Sequence, residues 1–458
     1  MENHSQTYCN GLVHYNIDNS LEILLNIKEN KCNIPVSKLF TMSARENKNR
    51  DFLFVSKVIG KHIPMLPDTL NVIGGILARL WINEREDSTD YPTNELIDAL
   101  ISLDASHVTQ GLGLECAGKD TDSYNDPINM KRIHNILNTP IKLKNKTLFI
   151  GFAETATGLA QAVFRNFTNA SYIHTTREKI TSIEPALFFN EEHSHAVEHL
   201  IYPYENDFFS KFDDIVLIDD ELTTGKSALN LIRCLPGKYF GIISILDWRN
   251  ADNYKMFQDE KNIDVRVCSL IKGDIKCNKS KDIISDTIIC PSSSTKLIPS
   301  KDYVFEIADS IESYNKATGR FGINSEDNEM ILDEIKSIAE VLKKERTTGN
   351  CLCMGTGEFI YLPCSIGALL GDNVYFHSTT RSPVHARSIA SYGNKNKVAF
   401  QSPEDDTITN YIYNIPDNFY EQVFFFSEKP LTQEKKEELN RIFSYFHVKS
   451  IIFIGWKG

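Results

Sequence analysis

Apolar residues in the first third of the chain recur at helical spacing. Asp68 to Glu84 (DTLNVIGGILARLWINE) and Asn94 to Leu103 carry them at three- and four-residue intervals, which predicts two helices. From residue 146 to 250 the pattern changes to short apolar runs separated by helical stretches. Thr147–Ile150, Tyr172–His174, Ile215–Ile218 and Tyr239–Leu246 are predicted strands, with helices after Gly158 and after Gly225. Alternation of this kind predicts a parallel sheet flanked by helices. Residues 290–302 (CPSSSTKLIPSKD) combine Ser, Pro and Lys and read as a linker. Beyond it, residues 328–345 place Ile331, Ile335, Ile338 and Leu342 on one face of an amphipathic helix.

The apolar runs also repeat. FIGFAETATGLAQAVFRNFTNASYIHTTRE begins at Phe149, and CMGTGEFIYLPCSIGALLGDNVYFHSTTRS begins at Cys353. Each holds Gly-x-x-Glu, as Gly151 with Glu154 and as Gly355 with Glu358, and each reaches Thr-Thr-Arg, ending at Arg177 and Arg381. Further on, VLIDDELTT from Val216 lies opposite VFFFSEKPLT from Val423, and the closing strands each end in a tryptophan, Trp248 and Trp456. Ordered landmarks at a nearly constant offset predict two related α/β domains.

Composition narrows the classes. A chain of 458 residues suits two or three domains, and 41% hydrophobic residues supply their cores. A formal net charge of -12 argues against unspecific binding to nucleic acid or anionic membrane, while leaving room for a local basic pocket. No apolar run approaches the length of a membrane span, and the N-terminus is polar, unlike a signal peptide. Ten cysteines without framework spacing are expected to be free thiols in a reducing cytoplasm, with Cys351 and Cys353 in a core strand.

The chemistry concentrates in Ile215–Ser227 (IVLIDDELTTGKS). Four apolar residues form a buried strand, Asp219 and Asp220 end it, and Glu221-Leu222-Thr223-Thr224-Gly225-Lys226-Ser227 turns into a helix. Ligands of open α/β sheets sit at the carboxyl ends of strands. Two carboxylates there can accept hydrogen bonds from a cis-diol. A Gly-containing hydroxyl-rich loop at a helix start offers N–H groups and a positive dipole end to a phosphate. Diol and phosphate together describe a ribose 5-phosphate. The GKS ending is not a nucleotide P-loop, because that motif requires Gly where Asp220 stands. A polar turn after a core strand is the plainer alternative, but two acids at a buried strand end are costly as decoration.

These residues carry a resemblance. IVLIDDELTTGKS resembles the 5-phosphoribosyl-1-pyrophosphate (PRPP) signature of type I phosphoribosyltransferases. RENKNRDFLFVSKVIGKHIP, GFAETATGLA, HTTRE, EEHSHAVEH and IDDELTTGKSALN are similar to segments of the phosphoribosyltransferase family of tellurium-resistance and stress gene clusters. The C-terminal half resembles the TRSP domain that follows it in that family, with the naming motif at Thr380-Arg381-Ser382-Pro383. The resemblance runs over roughly residues 38–458.

The resemblance implies PRPP chemistry with Mg²⁺ carried on the pyrophosphate, no metal ligand of the protein itself, and transfer to an unknown base-like acceptor in making a nucleoside-like metabolite. Asp219, Asp220 and Glu221 are then catalytic, and Thr223–Ser227 bind the 5′-phosphate. The loop with Phe152, Ala153, Glu154 and Thr155, together with Arg177, binds pyrophosphate. Glu154 is out of place beside an anion unless it meets Mg²⁺, a ribose hydroxyl or a basic residue, and Arg177 has a surface pair with Glu178 as its plainer reading. His193 and His195, with His199 nearby, read as a closing loop, and a metal cluster is the alternative. Lys57, Lys61 and His62 read as a hood over acceptor or phosphate, against a solvated basic face that also takes in Arg45 and Arg50.

The expected fold is therefore α/β, with two tandem parallel-sheet phosphoribosyltransferase-like domains. The first spans 1–290 (hood 1–145, core 146–290). The second spans 303–458 and is degenerate, since Phe426-Ser427 stand near where Asp219-Asp220 would be. Its loops at Glu358, Thr380 and Arg381 stay polar and are left to acceptor, regulatory nucleotide or partner domain. Expected partners are PRPP and the acceptor, without membrane or nucleic acid; a homodimer or enzymes of the same cluster complete the list. A PRPP- or nucleotide-sensing regulator or scaffold without turnover is the alternative function.

Overall fold

The four apolar runs between residues 146 and 250 become central strands whose side chains are buried on both faces, as Leu148–Ile150 and Ile215–Ile218 are. In the computed structural model, which describes residues 10–458 apart from 47–49, 104, 106–128, 191–197, 206, 238, 261–262, 308–309 and 390–391, the first half of the chain builds most of one eight-stranded sheet. Its strands are β1 (Gly11–Ile17), β2 (Leu21–Asn30), β3 (Ile141–Gly151), β4 (Phe167–His174), β5 (Asp214–Leu222), β6 (Tyr239–Asp247) and β7 (Asp264–Lys279). They run in the order β1-β2-β7-β6-β5-β3-β4. From β7 to β4 neighbours are parallel, and β1 and β2 add on antiparallel. Helix α1 (Asp68–Glu86) packs against α2 (Ala156–Phe164), and α3 (Lys226–Cys234) follows β5.

The second half contains β8 (Ser300–Glu306), β9 (Ile323–Asn324), α4 (Asp327–Leu342), β10 (Cys351–Gly355), α5 (Tyr361–Gly367), β11 (Val374–Ser378), β12 (Gln422–Phe426), α6 (Gln433–Tyr445) and β13 (Ser450–Lys457). Five of its strands form a parallel sheet in the order β8-β13-β12-β10-β11. The series β13-β12-β10-β11 reproduces β6-β5-β3-β4, so the chain holds two related sheets. Cys351 and Cys353 are buried in β10. Two readings change. Residues 300–302 belong to strand β8 rather than to a linker. The tryptophans are not level in the two sheets: Ile218 pairs with Ile243 and Phe426 with Ile454, so Trp456 stands level with Ile245, not Trp248.

Each sheet is finished by the other half of the chain. β9 adds antiparallel to β4, pairing Ile323 with Tyr172. Reciprocally, the arm before α1 lies along β11, with Met65 and Phe376 exchanging backbone hydrogen bonds of 3.0 and 2.7 Å and Ser378 N–H donating to Gly60 O at 2.7 Å. The arms share a pattern, Lys57-Val58-Ile59-Gly60-Lys61 and Lys316-Ala317-Thr318-Gly319-Arg320. Both glycines are left-handed, at φ +74° and +79°, and each lies against the ring of an edge strand. A Cβ on Gly60 would stand 2.5 Å from Phe376 and one on Gly319 2.3 Å from Tyr172. The two halves therefore interlock by exchanged arms, and each covers an edge that would otherwise be open. Gly319→Ala meets both a left-handed backbone and a ring, so a loss of about 2–3 kcal/mol is expected in urea denaturation.

Candidate active site

The carboxyl ends of β3 and β5 are adjacent, because Gly151 is level with Ile218 in the sheet. This places the Phe152–Thr155 loop beside Asp219, Asp220 and Glu221. Asp219 Oδ1 accepts from Asp220 N–H at 3.0 Å. Glu221 is engaged by Arg50, whose guanidinium reaches its carboxylate at 2.5 Å and the Thr223 hydroxyl at 3.4 Å. Arg50 also lies over the Phe52 ring, 4.4 Å from its centroid. Arg50 thus ties the hood to the strand end. Burial first, and then the Glu221 carboxylate, push Asp220 up to about 6.

The phosphate loop has a defined shape. Gly225 takes φ +75° as the N-cap of α3. A Cβ there would meet the Phe257 ring at 2.7 Å and Arg249 Cδ at 3.1 Å, so glycine is required. Arg249 is itself locked by Asp247 at 2.8 Å. Gly225 has no side chain to cap this helix, Thr224 Oγ1 accepts from Lys226 N–H at 3.3 Å, and the N–H groups of Thr223, Thr224 and Gly225 make no hydrogen bond among the described residues. Open donors at a helix start suit an anion. The matching helix of the second half, α6, differs. The Thr432 side chain caps it by accepting from Lys435 N–H, and Glu434 puts a negative charge in its first turn.

The pyrophosphate-type loop is held from behind. Thr175 Oγ1 accepts from Ala153 N–H at 2.8 Å and bonds in turn to His199 Nδ1 at 2.9 Å. The second half repeats this with Gly357 N–H and Thr379 Oγ1 at 3.0 Å. The N–H groups of Glu154 and Thr155 carry no hydrogen bond among the described residues. Glu154 does have a basic neighbour: it is buried and ion-paired with Lys61. Burial alone would raise its pKa, but Lys61, Arg177 and Arg381 hold it down to about 2.

The remaining predicted residues scatter. Lys61 also donates to Gly357 O at 2.7 Å and Thr379 O at 3.1 Å, so it joins the two halves. His62 is buried against Tyr413 and Asn394 of the second half, and burial pushes it down to about 3. Lys57 donates to Ser37 O at 2.7 Å. The Arg177 N–H donates to Glu358 Oε1 at 2.8 Å, and Glu358 also accepts from Thr176 Oγ1 at 2.6 Å and pairs with Arg320 at 3.1 Å. Thr380 exchanges backbone bonds with Tyr411. His193 and His195 lie outside the described residues. One expectation is corrected by the sheet register. Gly355 is level with Phe426, so Ser427 and Glu428 occupy the positions of Asp219 and Asp220. The second half keeps one acid there, and Arg320 holds it at 2.6 Å. Arg50 reads in the sequence only as part of a basic face, and its partner Glu221 is 171 residues away; Asp247, which holds Arg249 behind the Gly225 loop, is not singled out there.

With this geometry in view, comparison with known proteins defines the class. Residues 39–274, just over half of the chain, match the model of a phosphoribosyl transferase family, and residues 317–443 match the TRSP domain that lies C-terminal to it. The chain belongs to this phosphoribosyl transferase family, with the TRSP domain as its second part. Comparison with curated protein sequences gives no match. Among solved structures, adenine phosphoribosyl transferase from Trypanosoma brucei, in complex with AMP, pyrophosphate and ribose-5-phosphate, is similar at 12% identity and a TM-score of 0.27, over 57% of this chain and 87% of that one. Adenine phosphoribosyltransferase from Leishmania donovani is similar at 16% identity and a TM-score of 0.20, over 31% of this chain and 65% of that one. The family assignment rests on the sequence match alone. Among the described residues no helix is long and apolar enough to cross a membrane, and no group of three or more His, Cys, Asp or Glu is arranged to hold a metal ion.

Two outcomes follow from the buried charges. Lys61→Met strands the Glu154 carboxylate without a partner and is expected to cost about 3–5 kcal/mol in urea denaturation, part of it recovered when Glu154→Gln is added. Because Asp220 keeps in the folded state a proton that the unfolded chain releases near pH 4, its contribution favours folding at low pH and is lost as pH rises through about 6. Thermal midpoints of wild type and Asp220→Asn should therefore diverge from pH 4 to pH 7, with the variant gaining.

Proposed function

We propose that the protein transfers the 5-phosphoribosyl group of PRPP to a base-like acceptor, releasing pyrophosphate, as one step in making a nucleoside-like metabolite. The observation that carries this reading is the pairing of strand-end Asp219 and Asp220 with the uncapped Gly225 helix start in one connected segment. In it, Asp219 and Asp220 accept from the ribose 2′ and 3′ hydroxyls. The N–H groups and hydroxyls of Thr223 to Ser227 hold the 5′-phosphate. The N–H groups of Glu154 and Thr155 face the pyrophosphate.

Mg²⁺ is taken to arrive on the pyrophosphate of PRPP, without a ligand from the protein itself. Bound Mg²⁺ would neutralise the pyrophosphate beside Asp219 and Asp220. As the C1–oxygen bond to pyrophosphate breaks and its electron pair leaves with pyrophosphate, positive charge grows on the ribose ring, where the carboxylates stabilise it. An acceptor nitrogen attacks C1 from the opposite face, forming the new C1–N bond and releasing its proton. Water must be kept out, which is the task assigned to the segment with His193 and His195.

In this division of labour residues 1–145 are the hood, apart from the strands β1, β2 and the start of β3 that belong to the core sheet, 146–290 the catalytic core, and 300–458 a sister domain that does not bind PRPP in the same way. The self-capped α6 and the Arg320-held Glu428 support that last assignment.

The test is PRPP-dependent pyrophosphate release with a panel of nucleobase acceptors. The double variant Asp219→Asn, Asp220→Asn is expected to lose turnover by at least about 100-fold while keeping its circular dichroism spectrum. Unchanged ribosylation by that variant would sink the assignment of the site.

A further inference from the structure

The two halves are joined by a nearly symmetric exchange. Glu154 and Glu358 occupy the same position of the repeated Gly-x-x-Glu loop. Each pairs with the cation of its own arm, Lys61 or Arg320. Each also accepts from the backbone N–H of the arginine in the opposite half: Glu154 from Arg381 at 3.3 Å and Glu358 from Arg177 at 2.8 Å. The arginine of each Thr-Thr-Arg therefore stands against the loop of the other half.

The symmetry fails in one respect. At the second loop Arg320 also contacts Thr176 Oγ1 at 2.5 Å, Glu178 at 3.4 Å and Glu428 at 2.6 Å. Its charge is thereby surrounded by acids. At the first loop Lys61 is consumed by Glu154 and two carbonyls, which leaves little of its charge for a ligand. The Arg381 side chain, half-buried, makes no hydrogen bond or ion pair among the described residues. Its charge is nevertheless felt by Glu154, as the charge of Arg177 is. Asp405, an acid that also feels the Arg381 charge, already accepts from Thr407 N–H and Oγ1 at 2.8 and 2.7 Å.

The turn that presents Arg381 is rigid. Thr380 exchanges backbone bonds of 3.1 and 2.8 Å with Tyr411, and Thr380 Oγ1 accepts from Ser382 N–H at 3.1 Å. The Tyr413 hydroxyl donates to Ser382 O at 2.9 Å. On the other side the hood grips the turn, with Glu46 N–H donating to Pro383 O at 3.1 Å and His385 N–H to Ala44 O at 2.9 Å. A guanidinium held this way lies beside a loop whose Glu154 and Thr155 N–H groups are open. A planar fork of donors there suits a polyphosphate, which carries more charge than one paired lysine can balance.

We propose that Arg381 of the second half completes the first half's site by binding the pyrophosphate of PRPP, so that the site is composite. This rests on the phosphoribosyl-transfer reading above. The loop of the first half supplies backbone donors, and the second half adds a side-chain cation.

The experiment uses the full chain with Arg381→Ala and Arg381→Lys, and titrates PRPP, pyrophosphate and ribose 5-phosphate by calorimetry. Arg381→Ala is expected to weaken PRPP and pyrophosphate about 10-fold or more, to leave ribose 5-phosphate unchanged, and to leave the thermal midpoint unchanged. Arg381→Lys recovers part of the loss. Equal pyrophosphate affinity in wild type and Arg381→Ala overturns the proposal, and so does an equal weakening of all three ligands, which marks a structural effect. If wild type binds none of the three, the transfer reading itself fails and takes this proposal with it.

Discussion

Lys61 and Glu154 face each other with almost no access to water, and most of the molecule is organised around that pair. Two charges taken out of water are expensive unless each is fully satisfied. Here the surplus hydrogen-bonding capacity of both is met from the second half: carbonyls of Gly357 and Thr379 for the lysine, the Arg381 N–H for the carboxylate. The buried pair is fully satisfied only when the two halves are docked. Arg320 and Glu358 impose the same condition from the other side, through Thr176 and Arg177. A polar lock of this kind specifies one docking geometry, since a shifted interface would leave buried charges unpaired.

That docking fixes the site. The Thr175 and His199 relay behind the first loop, the Arg50 clasp on Glu221 and the hood strands gripping the Thr380–Pro383 turn all converge on the carboxyl ends of β3 and β5. The second half keeps the frame of that arrangement, including the hydroxyl-to-loop bond of Thr379, while its strand end has been turned inward. Glu428 is tied to Arg320, and the start of α6 is capped by its own Thr432. Loss of one acid, capture of the other by Arg320 and the glutamate in the first turn of α6 separate the two strand ends.

The central strands were legible because both faces are buried, which leaves uninterrupted apolar runs. The strand β8 was not, because in SKDYVFE only Tyr303 and Phe305 find cover and the exposed positions read as polar loop. The strands β1 and β2 alternate apolar and polar residues over a stretch without a motif to draw attention. Asp219, Asp220 and Gly225 could be found because strand, acids and loop are contiguous. Arg50 could not, since its partner Glu221 is far along the chain and a basic residue in a basic run has no visible target. The matching arms escaped notice for a different reason. Gly60 precedes Glu154 by far more residues than Gly319 precedes Glu358, because the helices Asn94–Ser102 and Met130–Leu137 lie within the first interval.

The exchange of arms bears on how the chain behaves in pieces. A cut between residues 290 and 299 would give two fragments that each look like a complete α/β unit on paper. The first would lack β9 and expose the outer edge of β4, and the second would lack the Gly60–Met65 arm and expose β11. Both edges are apolar and carry unpaired backbone donors and acceptors, which is a template for strand addition between molecules. Fragments made apart would be prone to aggregate, whereas mixed during folding they would have each other's edges to cap.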